Sequence, residues 1–183
     1  MKLKTLMFVV PFFVACAPVS PPRAPEAEAK DSFSFFGGGT ATTARIVEPD
    51  LLWSSVGSVQ TFGDGYRGRW KEETVDVRTR ENLIEGTIGS FRTELHITPS
   101  ADGFRLDGIY RGGLGQLQVT SKSITGTVGA TWIGVVRKDG TGNEYASTNT
   151  GVGGELRALR LPAQFTSLPR ERQALYLALV IGS

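Results

Sequence analysis

Between Gly65 and Leu161 the chain alternates apolar and polar residues with a period of two, in one short run after another. Val75 and Val77 alternate with Thr74, Asp76 and Arg78, and Ile84, Gly86 and Ile88 with Glu85 and Thr87. Phe91, Thr93, Leu95 and Ile97 are interleaved with Arg92, Glu94, His96 and Thr98, and Phe104, Leu106 and Tyr110 with Arg105, Asp107 and Arg111. Successive side chains of a strand point to opposite faces, so this pattern belongs to strands with one dry face and one wet face. The runs are bounded by turn clusters such as PSADG and RKDGTGN, whose residues tolerate the positive φ that hairpins need. Glycine is abundant, 23 residues without a fixed period, which suits a fold with many tight turns. The expected fold is mainly β, an antiparallel meander forming a small barrel or a sandwich.

The flanks are less regular. Phe33, Phe35 and Phe36 followed by Gly37-Gly38-Gly39 read as strand and turn, and ATTARIV, stopped by Glu48-Pro49-Asp50, as a second strand. Leu51-Leu52-Trp53 and Val56 to Phe62 fit strand or loop equally well. A repeat is expected at 66–89 and 110–129. Tyr66-Arg67-Gly68 leads to Ile84-Glu85-Gly86-Thr87-Ile88-Gly89, and Tyr110-Arg111-Gly112 leads to Ile124-Thr125-Gly126-Thr127-Val128-Gly129. The second halves lie 40 residues apart and the first halves 44, a difference assigned to a longer hairpin. A fragment from Gly153 to Leu159 could open a third, incomplete unit. Near the C-terminus, Leu168, Leu175, Tyr176 and Leu179 recur at helical spacing. Ser167 is the expected cap, Pro169 sits in the first turn and Glu171 stands near the positive end of the dipole. This short helix is expected to dock on the sheet and close the open end of the core, with a membrane- or partner-binding helix and a terminal strand as the alternatives.

The first residues have a different logic. Met1 to Lys4 carries two lysines, Leu6 to Val14 is almost wholly apolar, and Ala15 and Ala17 flank the single cysteine, Cys16. A charged start, a short apolar core and small residues at a cleavage point form a secretory leader. The apolar run is too short for a spanning helix, which needs about 20 residues. Phe13-Val14-Ala15-Cys16 resembles the lipobox of bacterial lipoproteins, with Phe13 where that family prefers leucine. The resemblance covers the first sixteen residues alone. It implies cleavage before Cys16 and acylation of its sulfur, which anchors the chain without a spanning segment. Ala17, where inner-membrane lipoproteins often carry aspartate, implies the outer membrane, facing the periplasm or the cell surface. The expected organisation is a signal peptide (1–15), a lipidated cysteine and flexible tether (16–31) whose PVSPPRAPEAEAKD stretch has almost nothing to bury, and one β-rich domain (32–183).

Charge and chemistry narrow the function. Of the 20 basic residues, Lys2 and Lys4 belong to the leader, leaving 18 against 18 acidic ones. So balanced a body gives no reason to expect nucleic acid as a partner. Metal and cofactor signatures are lacking: His96 is the only histidine, and the DGTGN and ADG stretches hold too few carboxylates for calcium. The best catalytic pair is Glu94 with His96, but their strand position places both on the wet face beside Arg92 and Thr98. Paired carboxylates among Glu72, Glu73, Asp76 and Glu85 are not singled out by spacing. Trp70, Tyr110 and Trp132, with Trp53, could line a concavity for a lipid or glycan, with Trp70 near a hairpin end. A membrane-spanning barrel is disfavoured, since charges occupy one face of nearly every strand. The first expectation is therefore a non-catalytic envelope lipoprotein, structural or protein-binding, with the membrane and an envelope protein as partners. A small-ligand barrel is the alternative, and a hydrolase comes third.

Overall fold

The computed structural model describes residues 31–37, 40–47, 50–140, 142–147 and 157–182. Fourteen antiparallel strands follow one another in chain order. They are β1 (Ser32–Gly37), β2 (Thr40–Val47), β3 (Leu51–Ser54), β4 (Gly57–Phe62), β5 (Gly65–Trp70), β6 (Glu73–Arg80) and β7 (Leu83–Ile88). Next come β8 (Phe91–Ser100), β9 (Gly103–Tyr110), β10 (Gly113–Thr120), β11 (Ser123–Val128), β12 (Thr131–Arg137), β13 (Glu144–Ser147) and β14 (Ala158–Arg160). Each strand pairs with its sequence neighbours, and β14 returns to β1, pairing Ser34 with Arg160, so the sheet closes as a barrel. Closure removes the free edges that an open sheet would offer to other chains. The two stretches that fitted strand or loop, Leu51–Ser54 and Gly57–Phe62, are strands β3 and β4.

Two-residue turns join consecutive strands from β3 to β12. At Lys71-Glu72 and Arg111-Gly112 both turn residues have positive φ, the twist that matches a right-handed hairpin. Inward positions follow the expected alternation: Val75, Val77, Ile84, Ile88, Leu95, Leu106 and Ile124 are buried. Phe91 departs from it. It opens β8 at the barrel end, where its ring is half exposed and lies against Gly112.

The barrel interior is filled by the chain's own C-terminus. After β14 a 3-10 turn (Ala163–Ser167) leads into α1 (Arg170–Ile181). Ala174 to Ile181, eight consecutive residues, have no exposed surface. The helix approaches β1 and β2 on one wall and β7 to β9 on the opposite wall, so it runs through the lumen. It packs on the sheet, as the sequence led us to expect, but on the inner face, filling the core and not closing one end of it. The physical reason lies in the strand count. About eight strands give an interior that wall side chains can fill, whereas 16 to 18 leave a channel. Fourteen need an added element, and a helix about 10–12 Å across supplies it.

Ser167 does not cap this helix. Its Oγ donates to the Gln164 carbonyl 2.7 Å away and closes the 3-10 turn, while Pro169 occupies the N-cap with Glu171 in the first turn. Wall side chains hold both ends of the helix. Arg172 pairs with Asp50 of the β2–β3 turn at 3.3 Å. At the other end the Trp70 Nε1–H donates to the Leu179 carbonyl at 2.9 Å, one of the last-turn carbonyls that no helical N–H can reach. Arg111 donates to the Gly182 carbonyl at 3.4 Å and pairs with Glu73 at 2.5 Å, placing a cation at the negative end of the dipole. Phe33 meets Phe165 and Tyr176 edge-on, with ring centroids 5.6 and 6.2 Å apart.

The repeat has a strand-level counterpart. β7 and β11 carry Gly86 and Gly126 at the same place, with φ of +147° and +138°. A Cβ there would lie 2.3 Å from the Asp76 carbonyl oxygen and 2.0 Å from that of Gln116, so the neighbouring backbone passes where a side chain would be. The first halves are not equivalent: Tyr66 lies near the start of β5 and Tyr110 ends β9. Trp70, which ends β5, is the residue 40 positions before Tyr110. Of the Gly153–Leu159 fragment, residues 153–156 lie outside the described residues, and Ala158 and Leu159 begin β14.

Candidate functional site

The three aromatic residues singled out for ligand binding do not meet in one pocket. Trp70 and Tyr110 point into the lumen and are buried against the C-terminal end of α1. Burial pushes the Tyr110 phenol well above its usual range, since a phenolate there would lose its hydration. Trp132 points out from β12 and is 51% exposed. Its ring covers Gly134, whose missing side chain makes room, and the Arg157 guanidinium lies 5.2 Å from the ring centroid. Trp53, on β3, also faces outward, with Arg45 stacked 4.8 Å away. Cys16, the proposed acylation site, lies outside the described residues, as do the leader and most of the tether.

Glu94 and His96 both face outward on β8, as alternation predicts. His96 Nε2 is 3.5 Å from Glu94 Oε1, but Arg92 also binds that carboxylate and the imidazole is 60% exposed. Glu85 is directly opposite Glu94 on β7, and the repulsion is relieved by Arg80, 3.7 Å from Glu85. Among the described residues, no group of three or more His, Cys, Asp or Glu side chains could hold a metal ion.

Register divides the outer wall into two sectors. Strands β5 to β9 carry a lattice of charge: Arg67 pairs with Asp76 at 3.3 Å, and Arg105 grips Asp107 through two nitrogens at 2.6 and 2.8 Å. Strands β10 to β12 present Gln116 opposite Thr127, Gln118 opposite Thr125, and Trp132 opposite Thr127. Beyond the Arg160–Glu144 pair, β1 to β4 continue with Ser34, Thr43, Trp53, Ser58 and Gln60. Apart from that pair, the two arginines stacked on the tryptophans and Arg137, the described outward strand positions of this sector are uncharged, and its charges gather in the turns, as at Lys122, Lys138 and Asp139. Ile109 and Leu114, paired across β9 and β10 and both exposed, mark its border. No alternation rule foretells such a division, because the sectors emerge only when the strands are placed side by side.

The two rims also differ. Helix α1 enters at the rim formed by the β8–β9, β10–β11 and β12–β13 turns, and Ser32 opens β1 at this same rim. Two clefts adjoin here. An open one of about 820 Å³ lies between Ser121-Lys122-Ser123 and residues 136–140 with Gly142, with Lys122, Arg137 and Lys138 around it. The other, about 300 Å³, is floored by Phe104, Val119, Tyr145, Leu161 and Phe165, with Asp102 and Arg170 at its edge. Burial raises the Tyr145 phenol, which stays neutral at ordinary pH. No protein-family model, curated protein or solved structure matches the chain.

Proposed function

We propose that this chain is a non-catalytic, lipid-anchored protein of the bacterial cell envelope that works by binding another protein through the uncharged sector of its outer wall. The single observation that carries this reading is the segregation of the wall. The sector from β10 round to β4 is depleted of charge and bears two exposed tryptophans, each stacked with an arginine. Depletion of charge with enrichment of aromatics and arginine is the compositional signal of a protein interface, and Trp and Arg dominate binding hot spots. The charged sector favours water over lipid, because outward arginines at mid-height of a membrane barrel cost about 2–4 kcal/mol each. The lumen, where a lipid or glycan would sit, holds α1. The anchor and the outer-membrane address rest on the leader and on Cys16.

Site-specific photo-crosslinking in envelope-intact cells tests the contact. A crosslinker at Gln116 or Thr125 is expected to trap one defined protein, and a crosslinker at Asp76 or Arg78 is not. Trp132→Ala and Trp53→Ala should each lower that yield by on the order of 30-fold, the effect of losing a hot spot of about 2 kcal/mol. Equal trapping from both sectors, or yields indifferent to both tryptophans, would refute the interface.

A further inference from the structure

The paired clefts at the helix-entry rim have a chemistry that the protein-binding wall does not use. Lys122, Arg137 and Lys138 surround the open cleft with Asp139 as the one carboxylate among its lining residues. The Arg137 Nε donates to the Gly142 carbonyl at 2.6 Å, which holds its guanidinium at the cleft. Next to it, with Ser121 common to both, the smaller cleft offers an apolar floor, and its edge charges Asp102 and Arg170 offset each other. Cations beside an apolar slot match an anionic amphiphile, with the phosphate between the cations and the upper methylenes on the apolar floor. The placement on the barrel identifies the source. Ser32 starts β1 at this rim, and Cys16 precedes it by 16 residues, a reach of at most about 55 Å. The rim is thus the end of the barrel from which the chain leads back to Cys16.

We infer that this rim binds the headgroup phosphate of an anionic phospholipid in the membrane that holds the acylated Cys16, and so orients the barrel with its uncharged wall accessible. The inference rests on the anchor reading. A basic residue near an anionic surface contributes about fivefold in binding, and the carboxylates of Asp50, Asp64, Glu81, Asp102 and Glu171 elsewhere on this rim offset part of what Lys122, Arg137 and Lys138 add, so the preference for anionic lipid is local to the cleft.

Full-length acylated protein is mixed with vesicles of phosphatidylcholine, with or without one third phosphatidylglycerol, and followed by flotation and hydrogen exchange. It should float with both kinds. Exchange at the turns around Lys122 and Gly140 should slow only with phosphatidylglycerol, and the opposite-rim turn at Arg111 should not respond. The combined variant Lys122→Gln, Arg137→Gln, Lys138→Gln should float as well but lose the slowing. Failure to float with phosphatidylcholine would sink the anchor alone, and the rim is then judged by flotation with phosphatidylglycerol and its loss in the triple variant. Equal exchange in both vesicles, slowing that survives the triple variant, or the same slowing from millimolar inorganic phosphate without lipid would overturn the inference.

Discussion

Replacing Gly126 by alanine tests whether the barrel's curvature depends on bare backbone at selected strand positions. The new Cβ would lie 2.0 Å from the Gln116 carbonyl oxygen and 3.0 Å from the Leu117 Cα, both backbone atoms of β10. No rotamer relieves that contact. β10 and β11 must separate by about 1 Å, which weakens roughly two ladder hydrogen bonds at about 1 kcal/mol each. The φ of +138° adds strain of about 1–3 kcal/mol for any residue with a side chain. The sum is about 3–5 kcal/mol, a large share of the 5–15 kcal/mol that holds a domain together. Gly140→Ala is the matched control: its φ is +74° and nothing lies within 4 Å of the added carbon, so only the left-handed penalty of about 1–2 kcal/mol applies. Urea unfolding followed by circular dichroism measures both as shifts in midpoint at constant slope. If Gly126→Ala costs no more than Gly140→Ala, the close approach of β10 to β11 is not what requires glycine.

Two further measurements address the plug. Trp70→Phe keeps an aromatic ring but deletes the donor to the Leu179 carbonyl and part of the buried volume, so urea unfolding should show a loss of about 1–3 kcal/mol, against under about 0.5 for Trp132→Phe on the outer wall. Burial pushes the Tyr176 phenol up to about 12. The unfolded chain gives up this proton near pH 10 and the folded chain holds it, so stability is intact below pH 10 and falls by about 3 kcal/mol as pH rises toward 12. Tyr176→Phe should flatten that decline; ultraviolet titration of Tyr176 near pH 10 with the barrel still folded would contradict it.

Strand identity was legible in the chain because period-two alternation is local, and each buried run from Val75 to Val128 could be read without knowing its partners. Barrel against sandwich was not legible, since closure depends on how many strands share one sheet and on β14 reaching β1. The position of the helix was written in the residues but needed that strand count to be understood. Ala174 to Ile181 has no polar face at all, the mark of a helix buried on every side, whereas a docked helix keeps a wet stripe. Trp70, near a hairpin end, is a buried helix anchor. Its neighbour Arg69 is exposed, but the alternation that places Tyr66 inward places Trp70 inward too. Trp132 and Trp53 reverse the usual expectation that a tryptophan is core, because each has an arginine and a small or polar neighbour to lie on. The rim cations were hidden by a neutral total, as a sum of charges carries no information about where they stand.

The filled lumen also decides which surfaces can act. To admit a ligand, the barrel would have to expel α1, exposing Leu175, Leu177, Leu179, Val180 and Ile181, all without accessible surface. At about 1.5–3 kcal/mol for each large apolar side chain the cost is on the order of 10 kcal/mol, before the wall residues facing them are counted. That matches the whole stability of an ordinary domain, so such an opening would be unfolding and not gating. A ligand taken into the interior would have to supply that free energy by its own contacts. The outer wall and the helix-entry rim differ in kind: the uncharged sector offers flat aromatic surface, and the rim offers cations beside an apolar slot.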